Sequence, residues 1–307
     1  MFTVVIPLYN KNNYISRAVS SVLTQTFLDF ELIVVDDNSN DGSVERVLGI
    51  NDNRLVLKVL KENRGVSYAR NYGVKKAKYS YIAFLDADDE WLPNHLHVLN
   101  QLIKSYPQAK MFSSRHETIN EQGKILIRKE VNYNYKSYCI NNFLCMYKND
   151  YSLINSSSAC ISKDFLLNEI GGFPEGKTNG EDIFVWIGAS LKSYVAFSVK
   201  KTVVIYRDAA NRSINRQWNI PYYVEYYLPK VFNTEDRDLK SFIRKGVLTS
   251  FVSLLLNDNY SFNTAFKFIK FIYVYDKFNL IICLIIWTTP VSFLEIFRKL
   301  KTLFNKV

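Results

Sequence analysis

The stretch YIAFLDADDEWLP, residues 81–93, joins a short apolar run directly to a cluster of acids. Its first five residues have the composition of a buried strand. Four acidic residues follow at once: Asp86, Asp88, Asp89 and Glu90. Acidic side chains rarely lie so close to a core unless a positive group meets them there. The stretch therefore predicts a buried strand whose end carries a charged site.

The chain before this stretch alternates between two apolar patterns. Short β-branched runs predict strands, and apolar residues three or four positions apart predict helices. The predicted strands are residues 2–8, 31–35, 55–60 and 81–85, and the predicted helices begin near Tyr14, Ser43, Val66 and Leu92. Strict alternation of strand and helix predicts an α/β fold with a doubly wound, mostly parallel sheet flanked by helices.

Two of the predicted strands end in acids, one at Asp36 and Asp37 and the other at Asp86 and Asp88. Ligands of doubly wound sheets bind beyond the carboxyl ends of the strands, so we expect both pairs at one edge. Carboxylates one residue apart repel each other unless a cation neutralises them. A hard dication, Mn²⁺ or Mg²⁺, is predicted there, and the alternative is a solvated loop or a helix cap.

The pattern becomes less regular after about residue 105. Strands are predicted for AKMFSS, SSSACIS and TVVIYR, a hairpin turning at Gln122 and Gly123, and a helix from Tyr138 to Tyr147. The glycine-rich segment GGFPEGKTNGED then predicts a loop that opens a helix at about Gly180.

Beyond about Asn219 the pattern is helical and strongly aromatic. We therefore expect an α/β domain over residues 1–215 and a helical C-terminal extension over residues 216–307. The segment from Phe278 to Leu294 has no charged residue, but it is shorter than the ~20 residues of a comfortable membrane span. It predicts either a helix in the membrane interface or one docked on the protein's own core. In the first case these basic residues would reach lipid phosphates: Arg298, Lys299 and Lys301.

The chain has 307 residues, a net charge of +10 and 15% aromatic residues. The positive balance favours an anionic partner such as a phosphate-bearing substrate or an acidic membrane leaflet. Lysine and arginine are not gathered into one block, so we expect no nucleic-acid partner. The four cysteines lack metal-like spacing and no export signal is visible, which predicts reduced thiols in a cytoplasmic protein.

Two further segments carry residues suited to a phosphate-bearing ligand. In ENRGVSYARNYG, Gly65 permits close backbone approach and Arg70 offers a two-pronged donor for phosphate or carboxylate; the alternative is a helix start with surface arginines. In GED, Asp182 follows the glycine-rich loop at a helix start, where the helix dipole favours a negative charge. It is a candidate general base, and the alternative is a capping residue.

The order and spacing of VVIPLYN, DDNSND, NRGVSYARN, FLDADD and GED resemble those of the family-2 glycosyltransferases over roughly residues 2–208. The resemblance implies a GT-A fold and an inverting transferase that uses a nucleoside-diphosphate sugar, with a UDP-sugar favoured. It implies that Asp88 is the main ligand of Mn²⁺ or Mg²⁺ and that Asp86 lies by the ribose and the metal's waters.

The resemblance also implies roles for the other candidate residues. Pro7 and Tyr9 would form a wall of the nucleotide pocket, and Asp37 would hold the base or ribose. Arg70 would border the nucleotide. The remaining pair is catalytic, with Asp182 as the general base and Glu181 positioning the acceptor or the loop.

The basic balance and the apolar C-terminal helices lead us to expect a lipid-linked glycan acceptor. This places the protein peripherally on the inner face of a bacterial-type membrane, in surface polysaccharide (O-antigen or capsule) synthesis. Many relatives carry a His after a Tyr-Arg pair as a further group near the metal, whereas this chain has Asp208 and Ala209 there. Either Asp208 replaces that His or the metal is held more loosely.

Two other function classes fit parts of the pattern. A sugar nucleotidyltransferase also needs metal, nucleotide and carboxylates, although it has no obvious use for the GED acid. A non-catalytic membrane-bound scaffold could keep the same fold. A dinucleotide oxidoreductase is excluded because no G-x-G-x-x-G follows the first strand.

Overall fold

The computed structural model describes residues 1–120, 122–126, 137–140, 142–207, 220–231, 234–255 and 262–288. Within these residues one sheet of nine strands forms the centre of the molecule. The strands are β1 Phe2–Leu8, β2 Phe30–Asp36, β3 Leu55–Val59, β4 Tyr81–Phe84, β5 Glu90–Trp91, β6 Ala109–Asn120, β7 Ser137–Ile140, β8 Ala159–Ser162 and β9 Tyr194–Arg207.

Helices connect and cover these strands. The α-helices are α1 Ile15–Leu23, α2 Ser43–Leu48, α3 Val66–Lys76, α4 His95–Ser105, α5 Phe143–Asn149, α6 Glu181–Lys192, α7 Tyr222–Val231, α8 Arg237–Leu255, α9 Phe262–Tyr275 and α10 Lys277–Thr288. Two short 3₁₀ turns, Tyr151–Leu153 and Ser156–Ser158, and a π-helical turn, Phe165–Ile170, lie between them.

The strand order is β3-β2-β1-β4-β8-β6-β9-β5, with β7 also paired to β9. The strands β3, β2, β1 and β4 run parallel, β8 runs against them, and β6 and β9 return to the first direction. Only β5, β7 and β8 of the described strands oppose the rest. The predicted doubly wound, mostly parallel sheet is therefore confirmed.

Side chains alternate between the two faces of the sheet, and each face packs against helices. On β1, Val4 and Ile6 join a core with α1 and α4, whereas Val5 joins a second core with α3 and α6. The close approach of α3 needs a glycine, because a Cβ on Gly73 would lie 2.5 Å from Val5. This packing fixes the carboxyl ends of β1, β2 and β4 at one edge.

The regular first part of the chain forms as its pattern predicts, from β1 to β4 and again in α4, whereas the two-residue strand β5 was not predicted. The predicted hairpin also forms, since Gly123 has a φ of +71° and Leu126 N–H bonds to the carbonyl of Thr118 over 2.7 Å. The predicted helix from Tyr138 to Tyr147 is wrong at its start. Residues 137–140 are strand β7, because their backbone pairs antiparallel with β9.

The second core continues from the sheet into α7, α8 and α9, and Cys283 of α10 is also buried in it. Among the described helices, none has the length and apolar character needed to cross a membrane. The predicted interfacial segment is described only as far as Thr288. Some residues named above lie outside the described residues: Asp208, Ala209, Arg298, Lys299 and Lys301.

Candidate active site

A buried arginine holds the carboxylate of Asp86 just beyond β4. Arg70 of α3 is 3% exposed and donates from Nη2 to Asp86 Oδ1 over 2.8 Å. Its Nη1 lies 3.6 Å from Oε1 of Glu181, the first residue of α6. Burial alone would lower the pKa of Arg70, but attraction to Asp86 and Glu181 outweighs it and raises that pKa above its usual value. The guanidinium of Arg70, on α3, therefore connects the end of β4 with the start of α6.

The carboxylate of Asp88 is paired with a lysine from the loop after β1. Lys11 Nζ lies 2.8 Å from Asp88 Oδ2, and Arg17 of α1 donates to the backbone carbonyl of Asp88 over 2.6 Å. The side chains of Asp86 and Asp88 remain 32% and 22% exposed. Asp86 and Asp88 are therefore each met by a cation of the protein itself, and both carboxylates remain accessible to a ligand.

The next acid, Asp89, is buried and accepts hydrogen bonds from neutral donors. The hydroxyl of Ser157 donates to Oδ2 over 2.5 Å and the backbone N–H of Tyr206 donates to Oδ1 over 3.1 Å. Burial raises the pKa of Asp89 well above its usual range, and the negative charges of Asp88 and Asp86 add to this effect. Asp89 therefore anchors the acidic loop to the sheet rather than facing a ligand.

Asp182 lies in the first turn of α6, directly after the glycine-rich loop. Gly180 has a φ of +73°, and a Cβ there would lie 2.7 Å from the ring of Tyr223, so glycine is required. Ser156 donates to Asp182 Oδ2 over 3.3 Å, and the N–H of Ile183 donates to Oδ1 over 2.7 Å. The helix N-terminus favours a negative charge at this position. Asp182 is therefore a partly exposed carboxylate without a direct cationic partner among the described residues.

A 3₁₀ turn links the two acidic groups. Its Ser157 accepts a bond from the backbone N–H of Asp86 over 3.1 Å, while the adjacent Ser156 bonds to Asp182. Arg70 forms a second link, since it is attracted to both Asp86 and Asp182. Four of the candidate residues are thereby brought to one place: Arg70, Asp86, Glu181 and Asp182. Asp88 lies two residues along the loop from Asp86.

Asp37 lies beyond the neighbouring strand β2 and is 2% exposed. Its carboxylate accepts the backbone N–H groups of Arg64 and Gly65 over 2.8 and 2.7 Å. Burial raises the pKa of Asp37 above its usual value, although these two bonds oppose the rise. Its own N–H donates to the carbonyl of Leu8 over 2.7 Å. Asp37 therefore fixes the loop before α3 beside the end of β1.

Two aromatic side chains on the elements of the site, Tyr9 and Trp186, have opposite surroundings. Tyr9 follows β1 and is 47% exposed, while Pro7 is buried within the strand. An exposed ring at the sheet edge suits stacking against a planar ligand. Trp186 is fully buried against Phe173, with ring centroids 6.1 Å apart. Trp186 is therefore a core residue, and it does not form the wall of an open site.

The part of the chain that carries the first acidic group also matches a known family. A sequence model described as "Glycosyl transferase family 2" matches residues 3–164, which is more than half of the 307 residues. The chain belongs to glycosyl transferase family 2. The match includes Asp37, Arg70, Asp86 and Asp88, and Asp182 lies beyond its end.

Two bacterial relatives illustrate the similarity. The UDP-Glc:alpha-D-GlcNAc-diphosphoundecaprenol beta-1,3-glucosyltransferase WfgD of Escherichia coli is 34% identical over 138 residues, which are 44% of this chain and 54% of that protein. The putative teichuronic acid biosynthesis glycosyltransferase TuaG of Bacillus subtilis is 27% identical over 223 residues, which are 71% of this chain and 83% of that protein. The chain thus spans about half the length of WfgD.

A solved structure resembles almost the whole chain. S. aureus TarS 1-349 in complex with UDP-GlcNAc superposes with a TM-score of 0.72 and 20% identity, over 88% of this chain and 80% of that chain. At this identity the likeness establishes the fold. The predicted GT-A fold of this family 2 glycosyltransferase is therefore confirmed.

The residues at the sheet edge fit a divalent cation of the hard, oxygen-preferring kind. Among the described side chains, no group of three or more His, Cys, Asp and Glu could hold a metal. Asp86 and Asp88 offer two partly exposed carboxylates, and one oxygen of each accepts no bond from a described donor. Mg²⁺-like ions often bind through one or two carboxylates and complete their shell with water and phosphate oxygens. The donor set matches that arrangement.

Several residues that shape this site carry no motif that marks them in the sequence. Lys11 and Asp88 are 77 positions apart, and Ser157 and Asp89 are 68 positions apart. Only the sheet topology brings such pairs together. Lys11 lies three residues after the predicted first strand. This position could have identified it as a site residue, because ligands bind beyond the carboxyl ends of the strands.

Proposed function

We propose that this family 2 glycosyltransferase moves a sugar from a nucleoside-diphosphate sugar, most readily a UDP-sugar, to a hydroxyl of a lipid-linked glycan, with inversion at the anomeric carbon. The observation that carries the proposal is the junction at Arg70. It brings Asp86 of the sheet edge beside Glu181 and Asp182 of α6. The reaction needs a group for the departing diphosphate and a base for the acceptor within one site.

The nucleoside of the donor binds at the ends of β1 and β2 in this proposal. Tyr9 and Pro7 form a wall for the base, and Asp37 binds the base or ribose through its remaining lone pairs. Arg70 borders the nucleotide and keeps Asp86 in place. The TarS structures with UDP-GlcNAc and UDP and the UDP-Glc in the name of WfgD support a uridine donor.

Asp88 is the main residue that would hold Mn²⁺ or Mg²⁺, with Asp86 beside it. A bound divalent ion would stabilise the charge that develops on the departing diphosphate. Lys11 keeps Asp88 charge-balanced in the absence of the ion, since its ammonium group lies 2.8 Å from that carboxylate.

Asp182 accepts the proton of the acceptor hydroxyl in this proposal. Its carboxylate is partly exposed and is held by Ser156 and by the N–H of Ile183, so it can take up a proton without breaking an ion pair. Glu181 is occupied by Arg70 and therefore positions α6 and the acceptor. A single displacement assisted by one base inverts the configuration of the sugar.

The acceptor is proposed to be a glycan on a lipid diphosphate carrier in bacterial surface polysaccharide synthesis. The names of WfgD and TuaG, with a diphosphoundecaprenol acceptor and teichuronic acid biosynthesis, support this class. We assign donor binding and catalysis to residues 1–215 and assign acceptor and membrane contacts to residues 216–307.

Peripheral attachment to the inner face of the membrane is proposed through α9 and α10. These helices expose apolar side chains among lysines, as interfacial helices do. The exposed apolar residues are Phe266, Tyr273, Val274, Ile281 and Leu284, and the exposed lysines of α9 are Lys267 and Lys270.

A donor screen tests the proposed function. The protein is mixed with Mn²⁺ and a panel of nucleotide-sugars, with and without bacterial lipid extract, and released nucleoside diphosphate is measured. We expect UDP release from a UDP-sugar that increases with the extract. Release of inorganic diphosphate from a nucleoside triphosphate and a sugar phosphate would indicate a nucleotidyltransferase instead. Metal-dependent UDP-sugar binding without turnover would indicate a scaffold.

A further inference from the structure

A pocket of about 370 Å³ opens beside the loop that leads into α6. Its walls come from three separate segments: residues 176–179 of that loop, residues 220–225 around the start of α7, and residues 264–268 of α9. Small-molecule sites typically have volumes of roughly 300–1,000 Å³. The pocket is therefore large enough for a ligand, and it is distinct from the donor residues at the ends of β1 and β2.

Local contacts tie this pocket to the proposed base. The carbonyl of Asn179, three residues before Asp182, accepts the backbone N–H of Tyr222 over 2.8 Å. The ring of Tyr222 lies 5.0 Å from that of Phe184, in the first turn of α6. A ligand in the pocket would thus be held against the same loop and helix that carry Asp182.

The charges of the pocket favour an anionic group. Lys177 and Lys267 both line it. Lys177 is paired with Glu225 over 3.2 Å, whereas no ion pair joins Lys267 to another described residue. An ammonium group without an acidic partner suits a phosphate oxygen. Tyr222 adds an aromatic ring with a polar end, which suits a sugar in a partly wet site.

We infer that this pocket binds the acceptor, as a glycoside of a phosphate- or diphosphate-bearing lipid. Its phosphate contacts Lys267 and its sugar lies against Tyr222, beside the loop that leads to Asp182. The inference rests on the proposed function and names where the acceptor binds. Lys267 also lies on the exposed side of α9 beside Phe266, so a lipid chain can leave the phosphate along apolar residues.

The test uses α-D-GlcNAc diphosphate linked to a short alkyl chain as the probe. Calorimetry measures its affinity for the full chain and for Lys267→Glu, and UDP affinity with Mn²⁺ is measured in parallel. We expect Lys267→Glu to lower the affinity for the probe at least about tenfold, because the loss of one charge-assisted hydrogen bond has an effect of that size. UDP affinity should stay unchanged. The matched control is Lys230→Glu, an exposed lysine of α7 that does not line the pocket.

A second pair of variants tests whether the ring of Tyr222 contacts the sugar of the probe. Tyr222→Phe should retain the probe's affinity, and Tyr222→Ala should weaken it severalfold while UDP still binds. Equal probe affinity in the wild type, Lys267→Glu and Tyr222→Ala overturns the inference, as does a wild-type protein that binds UDP but not the probe. Failure to bind any nucleotide or nucleotide-sugar removes the proposed function itself, so the two failures are distinguishable.

Discussion

The two acidic sides of the site differ in how their charge is balanced. On the proposed donor side, Asp86 and Asp88 are paired with Arg70 and Lys11 over 2.8 Å each. On the proposed acceptor side, Asp182 accepts only neutral hydrogen bonds from described residues. Ion pairs fix the position of a charge, whereas a base must be able to change its charge during the reaction. The difference supports the proposed division, in which one side positions the diphosphate and the other takes the proton of the acceptor.

The largest expected effect comes from neutralising the acceptor side. Asp182→Asn keeps the shape and an oxygen that accepts the N–H of Ile183, and its amide group can donate to Ser156, but the basic carboxylate is gone. General-base catalysis typically contributes about 10²–10⁴-fold, so we expect kcat to fall by that factor with donor affinity unchanged. Steady-state release of UDP measures it. Asp238→Asn, in the first turn of α8, is the control, and near-normal turnover of Asp182→Asn would place the base elsewhere.

A buried histidine away from the site, His95, is a third case, since its described hydrogen-bond partners are the neutral hydroxyl groups of Thr202 and Ser114. His95 is fully buried, and burial lowers its pKa to about 3 from 6.5. The folded state thus requires neutral His95, and stability is lost as the pH falls from 6.5 toward 3. Between these pH values, this group lowers the free energy of unfolding by about 1.4 kcal/mol for each pH unit of acidification.

Urea unfolding at several pH values measures this slope. We expect His95→Gln to unfold with a shallower loss of stability in acid than the wild type. His97→Gln, an exposed position on the same helix, should keep the wild-type slope. Identical slopes for His95→Gln and the wild type would show that His95 is not held neutral.

A smaller effect is expected at the proposed membrane face. Tyr273 and Val274 of α9 are 61% and 64% exposed, so replacing both with Asp should not disturb the core. Loss of their apolar burial and addition of two negative charges should reduce binding to anionic vesicles about tenfold or more. Co-sedimentation measures it, with Leu48→Asp on α2 (69% exposed) as the control. Equal partitioning of all three proteins would remove the membrane contact.

Local pattern was sufficient to predict the first part of the fold and the acids that it carries. The strands ending at Asp36 and Asp86 are apolar runs whose parallel packing follows from alternation with helices. The segment from Tyr138 was predicted wrongly because its pairing partner, β9, lies more than fifty residues away. Strand pairing of this kind overrides local helical spacing.

Local sequence pattern is limited in the same way for the candidate site, because it does not predict contacts between distant residues. The order of the motifs identified the acids that the structure places around Arg70, because each motif is local. The cation that meets each acid could not be derived in this way. Lys11 reaches Asp88 and Arg70 reaches Asp86 only after the sheet is assembled, and the serines that link the two sides lie in a 3₁₀ turn with no distinctive sequence.

The most direct test of the division between the two sides is donor binding by calorimetry, with Mn²⁺ and with chelator. The proteins compared are the wild type, Asp88→Ala and Asp182→Asn. We expect Mn²⁺ to strengthen UDP binding in the wild type and in Asp182→Asn. In Asp88→Ala the Mn²⁺-dependent gain should fall at least about tenfold, because the carboxylate proposed as the main ligand of the ion is gone. A metal-dependent affinity in Asp88→Ala equal to that of the wild type would contradict the account.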